Sequence, residues 1–197
     1  MICSVISAKG QSLKEVVGQA ETDTTNVYLP ADSLFARFLK EKQIPVTACN
    51  RMTLLKSGRS KFEHLFEDIK KAENYIHLEY FNFRSDSIAK ELFTLLAEKA
   101  KEGVEVRVLY DDVGCWNVKD KFFKEMSDAG IEVHAFLKVA FPVFTSKVNY
   151  RNHRKIVVID GKVGFMGGMN IADRYTKGTS WGTWRDTHFK IIGKGVH

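Results

Sequence analysis

Two helical periodicities set between three short β-rich runs constrain this chain more than any other feature. Tyr75 to Phe83 (YIHLEYFNF) is aromatic and β-rich, which predicts a strand. Ser87 to Lys101 carries Ile88, Leu92, Leu95 and Leu96 on one side, with Gly103 beyond its end, which predicts a helix with a glycine stop. Val104 to Tyr110 reads as a second strand, Lys119 to Ala129 as a second helix stopped by Gly130, and Ile131 to Leu137 as a third strand. A β-α-β-α-β series with short connections points to parallel pairing, helical cover and right-handed crossovers.

Beyond Leu137 the rhythm changes. Lys155 to Ile159 reads as a strand, Asp160-Gly161 as a hairpin turn, and Val163 to Met166 as the returning strand. Gly167-Gly168-Met169-Asn170 leads into a short helix, Ile171 to Tyr175, and Trp184 to Ile192 is the last strand. Upstream, Ser60 and Glu63 have capping-box spacing, and Phe62, Leu65, Phe66 and Ile69 follow at helical intervals. The expected class is α/β, a mixed and largely parallel sheet flanked by helices on both faces. Residues 1–49 form an N-terminal segment that is partly helical, over Ala31 to Lys42, with Leu34, Phe35, Phe38 and Leu39 on one stripe expected to pack on the main domain. Cys49-Asn50 marks the boundary, and residues 50–197 form that domain.

At 197 residues and 44% hydrophobic, the chain suffices for one α/β domain, and its 12% aromatic content excludes disorder as the dominant state. No apolar run approaches the ~18 residues of a spanning helix, and Met1-Ile2-Cys3-Ser4 does not open a signal peptide. Cys3, Cys49 and Cys115 lack metal or redox spacing and read as free thiols in a reducing compartment. The net charge is +6, unevenly spread. No acid lies between Glu132 and Asp160, where Lys138, Lys147, Arg151, Arg154 and Lys155 all fall. Such a stretch suits a phosphate or polyanion, although a solvated basic face is the plainer reading of charge alone.

The chemistry is concentrated in Asn152 to Asn170, NHRKIVVIDGKVGFMGGMN. On a strand His153 and Lys155 point the same way, about 7 Å apart. A nucleophile or general acid beside a fixed cation is what attack on a phosphodiester needs. Alternation puts Asp160 on the other face, suited to bracing the turn or to a supporting ion pair. Gly167 and Gly168 permit close backbone approach to an oxyanion, and the Asn170 amide can donate to one. This composition predicts HxK(x4)D about 0.03 times by chance.

These residues resemble the HKD motif of the phospholipase D superfamily, matching His153, Lys155, Asp160, Gly167, Gly168 and Asn170. The wording of IHLEYFNF, GVEVRVLYDDVG, NYRNHRKIVVIDGKVGFMGGMNIADRY and WRDTH is similar to the amino-terminal catalytic half of bacterial cardiolipin synthases. The resemblance implies that His153 is one of two histidines, a nucleophile forming a phosphohistidine or the acid that protonates the leaving alcohol. Lys155 and Asn170, with Gly167 and Gly168, would hold the phosphate, and Asp186 of WRDTH would orient the motif histidine. Asp160 is formally part of the catalytic motif. Glu79, Asp111 and Asp112 lie near strand ends, where turn and cap roles are at least as good a reading as catalysis. No cofactor or metal is implied.

The family uses two HKD motifs, and this sequence holds one. His188-Phe189-Lys190 lacks the aspartate, since Gly195 stands there, and reads as a strand. The second half-site is therefore expected from a missing C-terminal half, the favoured reading, or from a homodimer partner. The implied activity condenses two phosphatidylglycerol molecules to cardiolipin and glycerol at the cytoplasmic face of a bacterial membrane. Trp181, Trp184 and Phe141 to Phe144 are candidates for the lipid entrance, with core packing as their default. The alternatives are a homodimeric phosphodiesterase or endonuclease, although no nucleic-acid-binding motif accompanies the charge, and a catalytically silent module.

Overall fold

The computed structural model describes residues 24–26, 34–44, 46–47, 49–139 and 149–196. Cys3, Lys147 and the Phe141 to Phe144 run lie outside the described residues. Among the described residues eight strands form one sheet: β1 (Thr24–Asn26), β2 (Arg51–Leu55), β3 (Tyr75–Tyr80), β4 (Glu105–Asp111), β5 (Glu132–Phe136), β6 (Lys155–Ile159), β7 (Val163–Gly167) and β8 (His188–Ile192). Their order is β1-β2-β8-β7-β6-β3-β4-β5. The helices are α1 (Leu34–Glu41), α2 (Gly58–Lys70), α3 (Ser87–Lys101), α4 (Asp120–Asp128) and α5 (Arg174–Lys177). α1 lies within the helix expected over Ala31 to Lys42.

The sheet is mixed, as expected, but parallel pairing is confined to β3, β4 and β5, and every other pairing is antiparallel. The sheet is flanked by helices, and those between the parallel strands share one face. β3, β4 and β5 step in one direction, so right-handed crossovers put α3 and α4 on the same face. The Lys61 ammonium of α2 lies over Tyr80 of β3, Phe123 of α4 stacks on Tyr110 of β4, and Phe93 of α3 meets Phe122 of α4. On this face Ile76, Leu78, Val106, Val108, Val157, Ile159 and Phe165 are buried. The opposite face of the parallel strands is a polar ladder, with His77 to Glu105 and Arg107 to Glu132 both at 2.8 Å.

Local signals account for much of this. Asp160 and Gly161 take φ of 52° and 62°, and Lys162 N–H donates to the Ile159 carbonyl at 3.0 Å, closing the β6–β7 hairpin. Ser57 rather than Ser60 caps α2, its hydroxyl accepting from Ser60 N–H at 3.2 Å. Cys49 and Cys115 are free thiols, one exposed and one buried.

Candidate active site

His153 stands two residues ahead of β6, in an irregular stretch, rather than on the strand. Two strand-end acids fix that stretch. Asp111, 1% exposed at the end of β4, accepts from Asn152 N–H at 2.9 Å and from Gly114 N–H at 2.9 Å, and pairs with Arg151 at 3.5 Å. Glu79 of β3 accepts from the Asn152 side-chain amide and pairs with Arg154 at 3.4 Å. Both acids therefore position the motif loop. The imidazole itself is left facing outward, packed on Phe81 with ring centroids 4.6 Å apart. Burial, followed by the charge of Lys155, holds His153 below its ordinary pKa, and Asp111 opposes the shift.

Lys155 opens β6 and is 3% exposed. Its ammonium donates to the His153 carbonyl at 2.6 Å and lies 5.1 Å from the centre of the Phe81 ring. The pair thus shares one aromatic wall, cation inside and imidazole outside. Burial pushes the Lys155 pKa down to about 8, Asp186 works to raise it, and Arg174 adds to the fall. An ammonium so placed is ready to trade its poor solvation for a phosphate oxygen.

Beneath Lys155 is a polar floor. By strand register Lys155 lies opposite Tyr80, and His188 lies opposite Gly167, on the same helix-covered face. His188 is a strand residue, as expected, but fully buried, and neither ring nitrogen has a hydrogen-bond partner among the described residues. Burial, then Lys61 and Lys155, push its pKa down to about 2, so the ring is neutral. Lys61, also fully buried, donates to the Asn170 carbonyl at 3.4 Å.

The glycines meet a steric need beside the expected oxyanion cradle. A Cβ on Gly168 would overlap the Asp186 carboxylate, and one on Gly167 would lie 2.6 Å from the His188 Cα. They let the segment before β8 lie close, which sets Asp186 beside Lys155. The expected contact from Asp186 to His153 is not formed among the described residues; Asp186 accepts from its neighbour Thr187 N–H at 2.7 Å. Asn170 is 5% exposed and tied in place, its side chain accepting from Asn82 N–H at 3.1 Å and donating to the Tyr175 hydroxyl at 3.2 Å.

Asp160 is set apart from the others. Its carboxylate accepts from Glu73, Asn74 and Tyr75 N–H at 2.9, 2.8 and 2.9 Å. Burial works against the ionised form, but these three amides outweigh it and hold the pKa below the ordinary value. It lies five residues beyond Lys155, about 16 Å along the strand, and so ties the hairpin to the start of β3 instead of joining the reacting groups.

A family model described as "Cardiolipin synthase, PLD-like domain" matches residues 65–180. The chain belongs to this family. It is 46% identical over 153 residues to a cardiolipin synthase of Geobacillus sp. (strain WCH70), covering 77% of this chain and 30% of that protein. It is 44% identical over 152 residues to the major cardiolipin synthase ClsA of Bacillus subtilis (strain 168), covering 77% of this chain and 32% of that one. The chain thus spans about a third of the length of these relatives. Among solved structures, NucT from Helicobacter pylori aligns with a TM-score of 0.58 at 15% identity, covering 75% of this chain and 88% of that one. Phosphatidylserine synthase from Haemophilus influenzae Rd KW20 aligns with a TM-score of 0.54 at 16% identity, covering 73% and 33%. At such identities these two likenesses speak for the fold.

Within the family frame, sequence reasoning missed Phe81, Lys61 and the buried setting of His188. Phe81 was within reach, because the aromatic run YIHLEYFNF ends where a strand presents its site. Lys61 gives no such signal, since a lysine beside Phe62 on an amphipathic helix reads as a solvated position. No helix among the described residues is long and apolar enough to cross a membrane.

Proposed function

We propose that this chain is one half-site of a phosphatidyl transferase that condenses two phosphatidylglycerol molecules into cardiolipin and glycerol through a phosphohistidine. One observation carries the reading. An outward imidazole, His153, and a buried ammonium, Lys155, share the Phe81 wall in a chain 44–46% identical to cardiolipin synthases.

In this reaction an imidazole nitrogen attacks phosphorus, a P–N bond forms, and the P–O bond to the first glycerol breaks. A second histidine gives the departing oxygen its proton. The hydroxyl of the second lipid then attacks phosphorus, loses its proton to that second histidine, and displaces the first imidazole. His153 supplies one of the two imidazoles, and the other comes from a second HKD unit, in a longer polypeptide or in another copy of this chain. Lys155 neutralises the phosphate oxygens throughout. Asn170, with the Gly167-Gly168 backbone, completes the phosphate seat, and Asp186 tunes Lys155. The site would work at the cytoplasmic face of a bacterial membrane. Trp181, 96% exposed, and Trp184, 47% exposed, support contact with lipid, as aromatic side chains favour the interface.

Expression together with the second HKD unit, in a bacterium lacking its own cardiolipin synthases, tests the reading. Cardiolipin is expected to accumulate, to form in isolated membranes despite a chelator, and to vanish in His153→Ala. Equal cardiolipin from the His153→Ala protein overturns it, as does salt-sensitive DNA cleavage with no cardiolipin.

A further inference from the structure

Beside the motif residues lies an open groove of about 380 Å³ lined by Arg84, Ser85, Asp86, Asn117, Ala172 and Arg174. It is built onto the same segment that carries Asn170. Arg84 N–H donates to the Ile171 carbonyl at 3.0 Å, and Arg174 Nη2 donates at 3.4 Å to the Tyr175 hydroxyl that also accepts from Asn170. Two arginines therefore line one groove, and Arg174 is linked through the Tyr175 hydroxyl to Asn170 of the phosphate seat.

Both guanidiniums have capacity to spare. Arg84 is half-buried and makes no side-chain hydrogen bond or ion pair among the described residues. Arg174 lies over the rings of Trp184 and Tyr175, at 4.9 and 5.1 Å, which fixes its plane, and its buried Nε–H has no partner among the described residues. The acid of the groove, Asp86, is already occupied: it accepts from Ala89 N–H at 3.3 Å and from Asp173 N–H at 2.7 Å. Ser85 and Asn117 are exposed and add neutral polar groups. Trp116, next to Asn117 and 55% exposed, gives the rim an apolar edge. Arginine forks with open donors match phosphate oxygens, and a flanking apolar edge suits a diester carrying carbon on both sides.

We propose that this groove is a second anion site, which binds the phosphodiester of the hydroxyl-bearing phosphatidylglycerol while the phosphorus under attack sits at His153 and Lys155. The inference rests on the transferase reading and deepens it. An acceptor held by its own phosphate brings its hydroxyl to the phosphohistidine ahead of water, so the groove selects lipid over hydrolysis. Arg174 and Asn170 share the Tyr175 hydroxyl, which places the groove next to the phosphate seat.

The chain is titrated with glycerophosphoglycerol, the soluble headgroup diester, and separately with inorganic phosphate, following the Nε–H signals of Arg84 and Arg174 by NMR. The diester is expected to move both signals saturably and to bind more tightly than inorganic phosphate. Arg84→Gln is expected to weaken binding about tenfold, with Arg84→Lys between it and the parent. Lys124→Gln, which removes a positive charge ion-paired to Asp128 on α4, is expected to bind like the parent. Signal dispersion elsewhere establishes that each variant is folded. Unmoved arginine signals overturn the inference, as does equal loss in Lys124→Gln or phosphate binding as tightly as the diester. Cardiolipin formation without groove binding overturns the second site and spares the transferase. Groove binding in a protein that makes no cardiolipin overturns the transferase and leaves the diester site standing.

Discussion

The two ends of β6 belong to one short motif, and they do opposite work. At the Lys155 end a cation is buried with a backbone carbonyl and an aromatic ring for company, next to an imidazole left facing outward. At the Asp160 end a carboxylate is saturated by three backbone amides of the segment entering β3. The first arrangement leaves polar capacity open for a ligand. The second closes it and ties two distant segments together. Residues that travel together in a motif need not play the same part. In the proposed reaction His153 and Lys155 do the chemistry, while Asp160 holds the hairpin against β3 at the opposite end of the strand.

The sharpest way to break this comparison is to remove each end in turn. Lys155→Met is expected to lower phosphatidyl transfer by about 10²–10³-fold, the loss typical of one electrostatic donor. It is also expected to raise Tm, because a poorly solvated cation is replaced by an apolar chain of similar length. The native pKa, about 8, lies below the ordinary 10.5, so the burden of the charged lysine is full below pH 8 and fades as pH rises towards 10.5. The Tm gain should follow that course, and a Tm fall at pH 7 would contradict it.

Asp160→Ala is expected to do the reverse, costing about 2–3 kcal/mol of stability for the amides left unpaired, with unchanged turnover per folded molecule. Its carboxylate is held below 3.8, so the contribution is complete above pH 3.8 and is lost as pH falls below it. Denaturant unfolding at pH 7 and pH 3 checks both points: the gap between parent and variant should narrow in acid. A loss of turnover beyond the unfolded fraction would return Asp160 to the reacting groups.

How much of this was legible depends on whether the cause is local. The α3 boundaries and the β6–β7 hairpin follow from periodicity, a glycine stop and an Asp-Gly turn, all carried within the element itself. β2 is different: RMTLL has no turn signal, and its partner β8 lies far along the chain. The expected strand from Trp184 begins only at His188, because Trp184 packs against Tyr175 and Arg174 and Asp186 settles over Gly168. In the site, residue types pointed to phosphate chemistry, but the close approach between β7 and the segment before β8, for which the glycines make room, had no local signal. That α3 and α4 share a face was deducible from strand order and not from composition.

The pH profile gives a smaller effect that separates the site groups from each other. Transfer needs Lys155 charged and its imidazole partner neutral. The alkaline limb is therefore expected near pH 8, and the acid limb below 6.5, where burial and Lys155 hold His153. The smallest effect sharpens the role of Asp186. Its carboxylate favours the charged form of Lys155, so Asp186→Asn is expected to move the alkaline limb to lower pH and leave the acid limb where it was. Were Asp186 instead the group that orients His153, the same variant would shift the acid limb and lower the plateau. The geometry favours the first outcome, because Gly168 makes room for Asp186 on the lysine side of the motif while Phe81 and the Asp111-anchored loop hold the imidazole. A rate profile of parent and variant between pH 5 and 10 decides between them, and a fixed alkaline limb would remove Asp186 from the electrostatics of the site.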